Sequence, residues 1–176
     1  MLYICLFIFI LIMTKLAEIN FKKTQKKLGI TCMAICVIII SIIGGCRDVS
    51  VGVDTAGHIS TYFKRTIYYN SMVRFILEQP SEPIYLFINY IVSRATKNIN
   101  WLLFVFQLIT YTFVFGYAYK KREQISILTF IMMFLFLFYN RSFNLVRQTI
   151  AMSIVLFSTI YAERHNAYKS IIFIVL

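Results

Sequence analysis

The chain has 176 residues, of which 60% are hydrophobic and 17% aromatic, while only 14% are charged. Its mean hydropathy of +0.75 excludes a soluble domain of this size, whose surface would have to be covered with Phe, Ile and Leu. The formal charge of +11 does not point to nucleic acid. The basic residues fall in short clusters beside apolar runs, the pattern that marks cytoplasmic loops of membrane proteins.

Residues 2–13 are apolar, with no positive residue ahead of them; Lys15, Lys22, Lys23, Lys26 and Lys27 come after. A cleavable signal peptide carries its charge first, so this reads as a retained first span, short for a crossing, with the N-terminus outside. Residues 28–45 read as a second span that emerges at Gly44-Gly45, a natural helix terminus. A polar island over 47–85 then begins on the outer face. It holds Asp48, Asp54, Glu78 and Glu82, four of the seven acidic residues. Within it, 59–77 has the spacing of an amphipathic helix with Ile59, Phe63, Ile67 and Val73 on one side. Pro80 and Pro83 stop that helix and bracket Ser81-Glu82. Residues 84–92 are apolar but only half a span long, which leaves interfacial and re-entrant placements both open.

Residues 101–119 read as the third span, with Trp101 as its interfacial anchor, and Lys120, Lys121 and Arg122 return the chain to the cytoplasm. Residues 125–139 lead outward, 140–144 make a tight outer turn, and 145–161 lead back in. Glu163, Arg164, His165 and Lys169 form the next inner loop. The apolar run 170–176 is too short to cross at about 1.5 Å rise per residue, so the chain is expected to be truncated or completed by something else. The expected fold is all-α: a polytopic transmembrane helical bundle of about five complete spans plus the start of a sixth. It forms one integral membrane domain over 1–176, with a large outer loop over 46–100 containing amphipathic helix. Cys5, Cys32, Cys36 and Cys46 lack CxxC spacing, and His58 and His165 fall on opposite faces, so neither a zinc site nor any other cofactor is expected.

A few polar residues stand out against this background. Arg147 sits about one turn inside an apolar helix, beside Gln148. Burying an arginine there costs about 2.5–3.5 kcal/mol even on a lenient scale, so such a residue faces a polar cavity or snorkels to the headgroups. Arg47 lies at the outer mouth of the second span and reads either as an interfacial anchor or as a phosphate-binding fork. Two such forks suit a diphosphate, and Arg47 and Arg147 are expected to converge on one anionic site at the outer membrane boundary. Arg141, in the outer turn, is a third candidate. Asp54 comes after a glycine-containing turn and reads as a helix cap or as a general base near a bound phosphate, and Thr55 can cap the next helix. Glu82, held between two prolines, is the second acidic candidate.

These residues resemble the EpsG family, Wzy-like polysaccharide polymerases of bacterial envelopes. The resemblance rests on Arg47-Asp48, on Val51-Gly52-Val53-Asp54-Thr55, on Glu82-Pro83-Ile84-Tyr85, and on Asn144-Leu145-Val146-Arg147-Gln148 with Ile150-Ala151. The family shows an arginine before a V-G-T-D-T-like segment, then an E-P-x-Y-like and an N-x-x-R-Q-x-[IL]-A-like segment, in that order between spans. The likeness extends from about residue 28 to the end. Val53 stands where the family often has threonine, and His58 where it often has tyrosine. The chain is also shorter than the family's usual length.

The resemblance implies a reaction on lipid-linked sugars at the outer face of the cytoplasmic membrane, in exopolysaccharide, capsule or O-antigen biosynthesis. Oligosaccharide units on undecaprenyl diphosphate would be joined by attack of a sugar hydroxyl on an anomeric carbon. Asp54 and Glu82 are then the catalytic candidates. Arg47, Arg147, Gln148, Arg141, Asn144, His58, Tyr62 and Tyr85 are the candidates for holding diphosphate and glycan. Membrane lipids and other polysaccharide-assembly proteins are the further partners implied. No nucleotide-binding Gly-rich loop is present, in keeping with a lipid-borne donor. Two rival readings remain: a transporter or flippase of the same glycan, which calls for discontinuous helices and polar groups at the bilayer midplane where these spans read as uniformly apolar, and a non-catalytic assembly partner or fragment.

Overall fold

The computed structural model describes residues 1–163. In chain order its helices are α1 (Leu2–Lys22), α2 (Lys26–Gly45), α3 (Ser60–Arg65), α4 (Met72–Glu78) and α5 (Pro83–Ala95). They continue as α6 (Ile99–Lys120), α7 (Ile127–Phe138), the single turn α8 (Arg141–Asn144) and α9 (Val146–Glu163). A π-helical turn at Thr55–Ile59 leads into α3, and a 3₁₀ turn at Thr66–Tyr68 leaves it. Among the described residues there is no strand.

The long helices alternate in direction. Phe21 of α1 packs against Gly29 of α2, and Gly45 of α2 packs against Phe104 of α6. Tyr117 of α6 meets Phe130 of α7, whereas Phe113 of α6 meets Phe157 of α9 and Lys121 pairs with Glu163, so α6 and α9 run parallel. A cluster of buried side chains joins α1, α2, α6 and α7, with Ile10, Ile40, Tyr111 and Ile131 at its centre. A second cluster lies where the 55–95 segment covers the N-terminal ends of α6 and α9.

Three of the described helices, α1, α2 and α6, are long and apolar enough to cross a membrane. The described residues thus form an all-helical membrane protein. The expected crossings through 125–139 and 145–161 do not meet that measure. Helix α7 has 12 residues, about 18 Å at 1.5 Å each, against a hydrocarbon core of about 30 Å. Helix α9 has 18 residues but carries Arg147 and Gln148 in its first turn.

The first helix is longer than its apolar run suggested. It continues through Lys15 and Glu18 to Lys22 and has 21 residues. Glu18 is what makes the polar extension useful. Its carboxylate accepts from the Ser126 hydroxyl (3.1 Å) and the Leu128 N–H (3.3 Å), satisfying an orphan donor at the start of α7.

The island is not one amphipathic helix. Residues 69–71 leave helical geometry, with Tyr69 and Ser71 both extended. The break rotates the second half of the island relative to the first. Ile59 and Phe63 are buried as their spacing requires, but Ile67 and Val73 are exposed, and Phe75 takes the core position instead. Helix α5 has both ends at the same end of the bundle. Glu82 before it touches Arg147 of α9, and Ala95 at its end precedes α6 by three residues. It is tied to the cap by Arg94, which donates to the Thr66 and Tyr69 carbonyls and stacks on Tyr90.

Gly44-Gly45 does end α2, but not through a left-handed cap, since Gly52 is the positive-φ glycine. A Cβ on Gly45 would stand 2.7 Å from the Phe104 Cβ and 2.9 Å from its Cα. The pair therefore serves close approach of α2 to α6. This fixes the outer end of α2, and with it Arg47, against the bundle. Helix α6 is also less uniformly apolar than expected, since Gln107 and Thr110 are buried in its first half.

Candidate functional site

The segment after α2 is shaped by Gly52. Its φ is +104°, and a Cβ there would meet the Phe143 carbonyl oxygen at 2.1 Å. Only glycine fits both demands. The Gly52 carbonyl accepts from the Thr55 and Ala56 N–H groups, each at 3.1 Å, and starts the π turn. The turn is clamped to α8 from both sides. The Val53 N–H donates to the Asn144 Oδ1 (3.4 Å), and the Thr55 hydroxyl donates to the Phe143 carbonyl (3.4 Å).

Arg47 completes the clamp. Its Nη2 donates to the Thr55 hydroxyl at 2.8 Å, and its guanidinium lies 4.4 Å over the Phe143 ring. Arg47 is only 5% exposed. Burial pushes its guanidinium down to about 10, offset in part by Tyr139, Tyr3 and Tyr111 nearby. It stays cationic at neutral pH, and its Nε and Nη1 have no protein partner.

Fixing Thr55 places its neighbour. The Asp54 carboxylate makes no capping hydrogen bond and instead stands 3.6 Å from the Arg147 Nη2. Thr55 likewise does not cap, because its hydroxyl is spent on Arg47 and Phe143. Glu82 comes from a third part of the chain. It is extended (φ −62°, ψ 129°), with Pro83 opening α5 behind it. Its carboxylate faces the Arg147 Nη1 at 3.2 and 3.5 Å and accepts from the Ser81 hydroxyl at 2.8 Å. Partial burial works to raise the Glu82 carboxyl. The hydrogen bonds from its own N–H and from Ser81, with the Arg147 charge, outweigh that and hold it below the ordinary value.

Arg147, the second residue of α9, thus bridges two carboxylates and lies 5.7 Å from the Tyr85 ring centre. One cation between two anions leaves the cluster negative. Beneath it opens a cavity of about 320 Å³. Its rim is polar, from Asp54, Glu82, Arg147 and Gln148, and its floor is apolar, from Ile88, Phe106, Ile150 and Ile154 among others. Tyr85 stacks on Phe106 at 5.4 Å and takes Tyr62 edge-on at 5.9 Å, which sets the wall of the cavity.

Of the residues singled out in the sequence, Asp54, Glu82, Tyr85, Arg147 and Gln148 meet at this cavity. The others do not. Arg47 lies behind the turn, so the expected convergence of Arg47 and Arg147 on one opening is not what forms. Asn144 holds the turn, Tyr62 is buried with its hydroxyl on the Pro80 carbonyl (3.4 Å), and Arg141 and His58 are exposed. The apolar floor is absent from the sequence reading above, although Arg147, Ile150, Ala151, Ile154 and Val155 fall at the i, i+3, i+4, i+7, i+8 spacing of a single helix face. Gly52 and Thr55 as positioning elements were legible only once Phe143 was seen beside them.

The order of these segments along the chain matches a known pattern. The model of the EpsG family matches residues 29–176. The chain belongs to the EpsG family. Membership makes it a polysaccharide-polymerase-like membrane protein, associated with lipid-linked polysaccharide substrates. No curated protein and no solved structure matches the chain significantly. In this EpsG-family chain the matched region holds every residue of the cavity, and α1, the turn after it and the first three residues of α2 fall outside.

Proposed function

We propose that the protein joins oligosaccharide units carried on undecaprenyl diphosphate, at the outer face of the bacterial cytoplasmic membrane. The observation that carries this reading is the meeting of Asp54, Glu82 and Arg147, from three separate segments, over a cavity with a polar rim and an apolar floor. Such a cavity suits a substrate that is sugar and phosphate at one end and hydrocarbon at the other. The chain acts as one integral membrane unit of five crossings with an outer N-terminus; the expected sixth, over 170–176, lies outside the described residues. Helix α7, carried on in helical geometry through Tyr139 and Asn140 into α8, reaches about 27 Å at 1.5 Å per residue and crosses with α9 as part of the bundle, and the 46–100 cap lies outside.

The chemistry rests on exposure and charge. The Glu82 side chain is 62% exposed and that of Asp54 10%, so Glu82 reaches an incoming acceptor hydroxyl and Asp54 stays on Arg147. The hydroxyl oxygen forms a bond to the donor's anomeric carbon. The bond from that carbon to the diphosphate breaks, and its electron pair leaves with the lipid diphosphate. Glu82 takes the hydroxyl proton. Neutralising Glu82 weakens its hold on Arg147 just as negative charge grows on the leaving group, so the guanidinium turns toward the diphosphate when it is needed. Gln148 on the same rim supplies a further donor. Arg47 serves by positioning the turn rather than by touching substrate.

The test is reconstitution. The full chain in proteoliposomes is given undecaprenyl-diphosphate-linked oligosaccharide, and chain growth and lipid diphosphate release are measured. Growth that depends on Glu82 and Arg147 supports the reading. Transfer of intact donor across the bilayer without growth would replace it with the flippase reading.

A further inference from the structure

The bundle carries a second opening that the reaction does not use, at the end opposite the charged cluster. It is a groove of about 380 Å³ between residues 30–38 of α2 and 108–119 of α6. Its walls are apolar, with Met33, Val37 and Ile38 facing Leu108, Phe115 and Tyr119. Both walls run into lysine. On α2, Lys26 and Lys27 precede the lining residue Ile30 by four and three positions, which stacks them on its face. On α6, Lys120 comes four positions after the lining residue Gly116 and directly after Tyr119. All three lysines are exposed, and among the described residues none forms an ion pair. Their basic neighbours are engaged: Lys22 pairs with Glu18, Lys121 with Glu163, and Arg122 with Glu123 while lying over the Tyr119 ring. Helix α2 also begins at Lys26 without a side-chain cap, which turns its positive end toward the same place.

We propose that this groove binds an anionic glycerophospholipid from the adjoining leaflet, with the headgroup phosphate among Lys26, Lys27 and Lys120 and one acyl chain along the α2–α6 cleft. The dimensions agree. From Lys26 to Ile38 the helix rises about 18 Å at 1.5 Å per residue, close to the roughly 15 Å depth of one leaflet's hydrocarbon. Three uncompensated cations at headgroup depth select an anionic over a zwitterionic headgroup, as basic pockets between membrane helices do. The proposal is independent of the polymerase reading, because no residue of the cavity takes part.

Native mass spectrometry of the full chain in detergent, titrated with phosphatidylglycerol or phosphatidylcholine, tests it. The wild type should retain phosphatidylglycerol with a preference of about tenfold, and the triple change Lys26→Gln, Lys27→Gln, Lys120→Gln should bring this to about twofold or less. The matching triple change to Arg should keep the preference, which separates charge recognition from damage to the fold. Ala34→Trp, at a lining position, should reduce retention of both lipids. Lys64→Gln with Lys97→Gln, in the cap, should change nothing. Equal retention of the two lipids by the wild type, an unaffected Gln triple, an unaffected Ala34→Trp, or an equal loss in the cap variant would each overturn the proposal.

Discussion

Arg47 and Arg147 grip adjacent residues of one turn: the Arg47 Nη2 is 2.8 Å from the Thr55 hydroxyl, and the Arg147 Nη2 is 3.6 Å from the Asp54 carboxylate. The two arginines, far apart in sequence, are thus coupled through a single peptide unit, one from the protein interior and one from the cavity. Their roles differ accordingly. If Arg47 acts through Thr55, Arg47→Ala and Thr55→Val should each reduce polymer formation, and the double variant should be little worse than Arg47→Ala. In a double-mutant cycle on thermal stability the pair should show a coupling of about 1–3 kcal/mol, the range for a hydrogen bond to a charged group. Simple additivity would mean that Arg47 does not work through the turn.

Gly52→Ala is expected to be more damaging than its size suggests. The new methyl meets the Phe143 carbonyl at 2.1 Å, and the φ of +104° is strained for alanine. The turn must lift off α8 and take Asp54 with it. Accumulation near the wild-type level with polymer formation close to zero is the expected outcome, because the bundle core lies elsewhere. An active Gly52→Ala would show that the placement of Asp54 is not required.

How far the sequence alone reveals these features depends on the range of the interaction involved. Arg147 was legible because an arginine in an apolar helix is costly wherever the helix goes, and Glu82 because two prolines restrict the chain locally. The break at 69–71 was not legible, since Tyr69-Asn70-Ser71 contains no proline or glycine and the apolar spacing continues through it. The packing of Phe75 against Tyr69 and Tyr90 selects it, with Arg94 and Tyr90 donating to the Tyr69 and Asn70 carbonyls. Arg47 reads as a surface fork because its position after α2 suggests headgroup depth. Its burial depends on Phe143 and Thr55, and no local pattern links 47 to 143. The length of α1 is not legible locally, because the apolar run stops at Met13 while the partner for Glu18 lies more than a hundred residues later.

The Glu82–Arg147 pair also predicts a pH dependence. The Glu82 carboxyl is held below its ordinary value of 4.5. A depressed carboxyl contributes stability that is fully present above the unfolded value and is lost as pH falls through the folded one. Wild-type thermal stability should therefore begin to fall below about pH 4.5, and Glu82→Gln should flatten that part of the profile while costing little at pH 7, as the carboxylate is largely exposed. Profiles of the same shape for both proteins would show that the pair does not form.

The topology is testable independently of the chemistry. The basic clusters at Lys22, Lys23, Lys26 and Lys27 and at Lys120, Lys121 and Arg122 lie at one end of the bundle, and the cap lies at the other. With the clusters inside, a membrane-impermeant thiol reagent applied to whole cells should label Ser81→Cys and spare Gln25→Cys, each made with the four native cysteines changed to Ser. Labelling of Gln25→Cys alone would invert the molecule and move the cavity to the cytoplasmic face.

The central claim is that Asp54, Glu82 and Arg147 form the reaction centre, and the rate of chain growth by the purified full chain in proteoliposomes tests it most directly. Each variant is compared at matched donor binding. Glu82→Gln should slow growth by about 100-fold or more, the usual loss when a positioned general base is removed. Arg147→Lys should be nearly as defective as Arg147→Ala, because a single ammonium cannot face two carboxylates and a diphosphate as the planar fork does. Growth at the wild-type rate by both Glu82→Gln and Arg147→Lys would contradict the account.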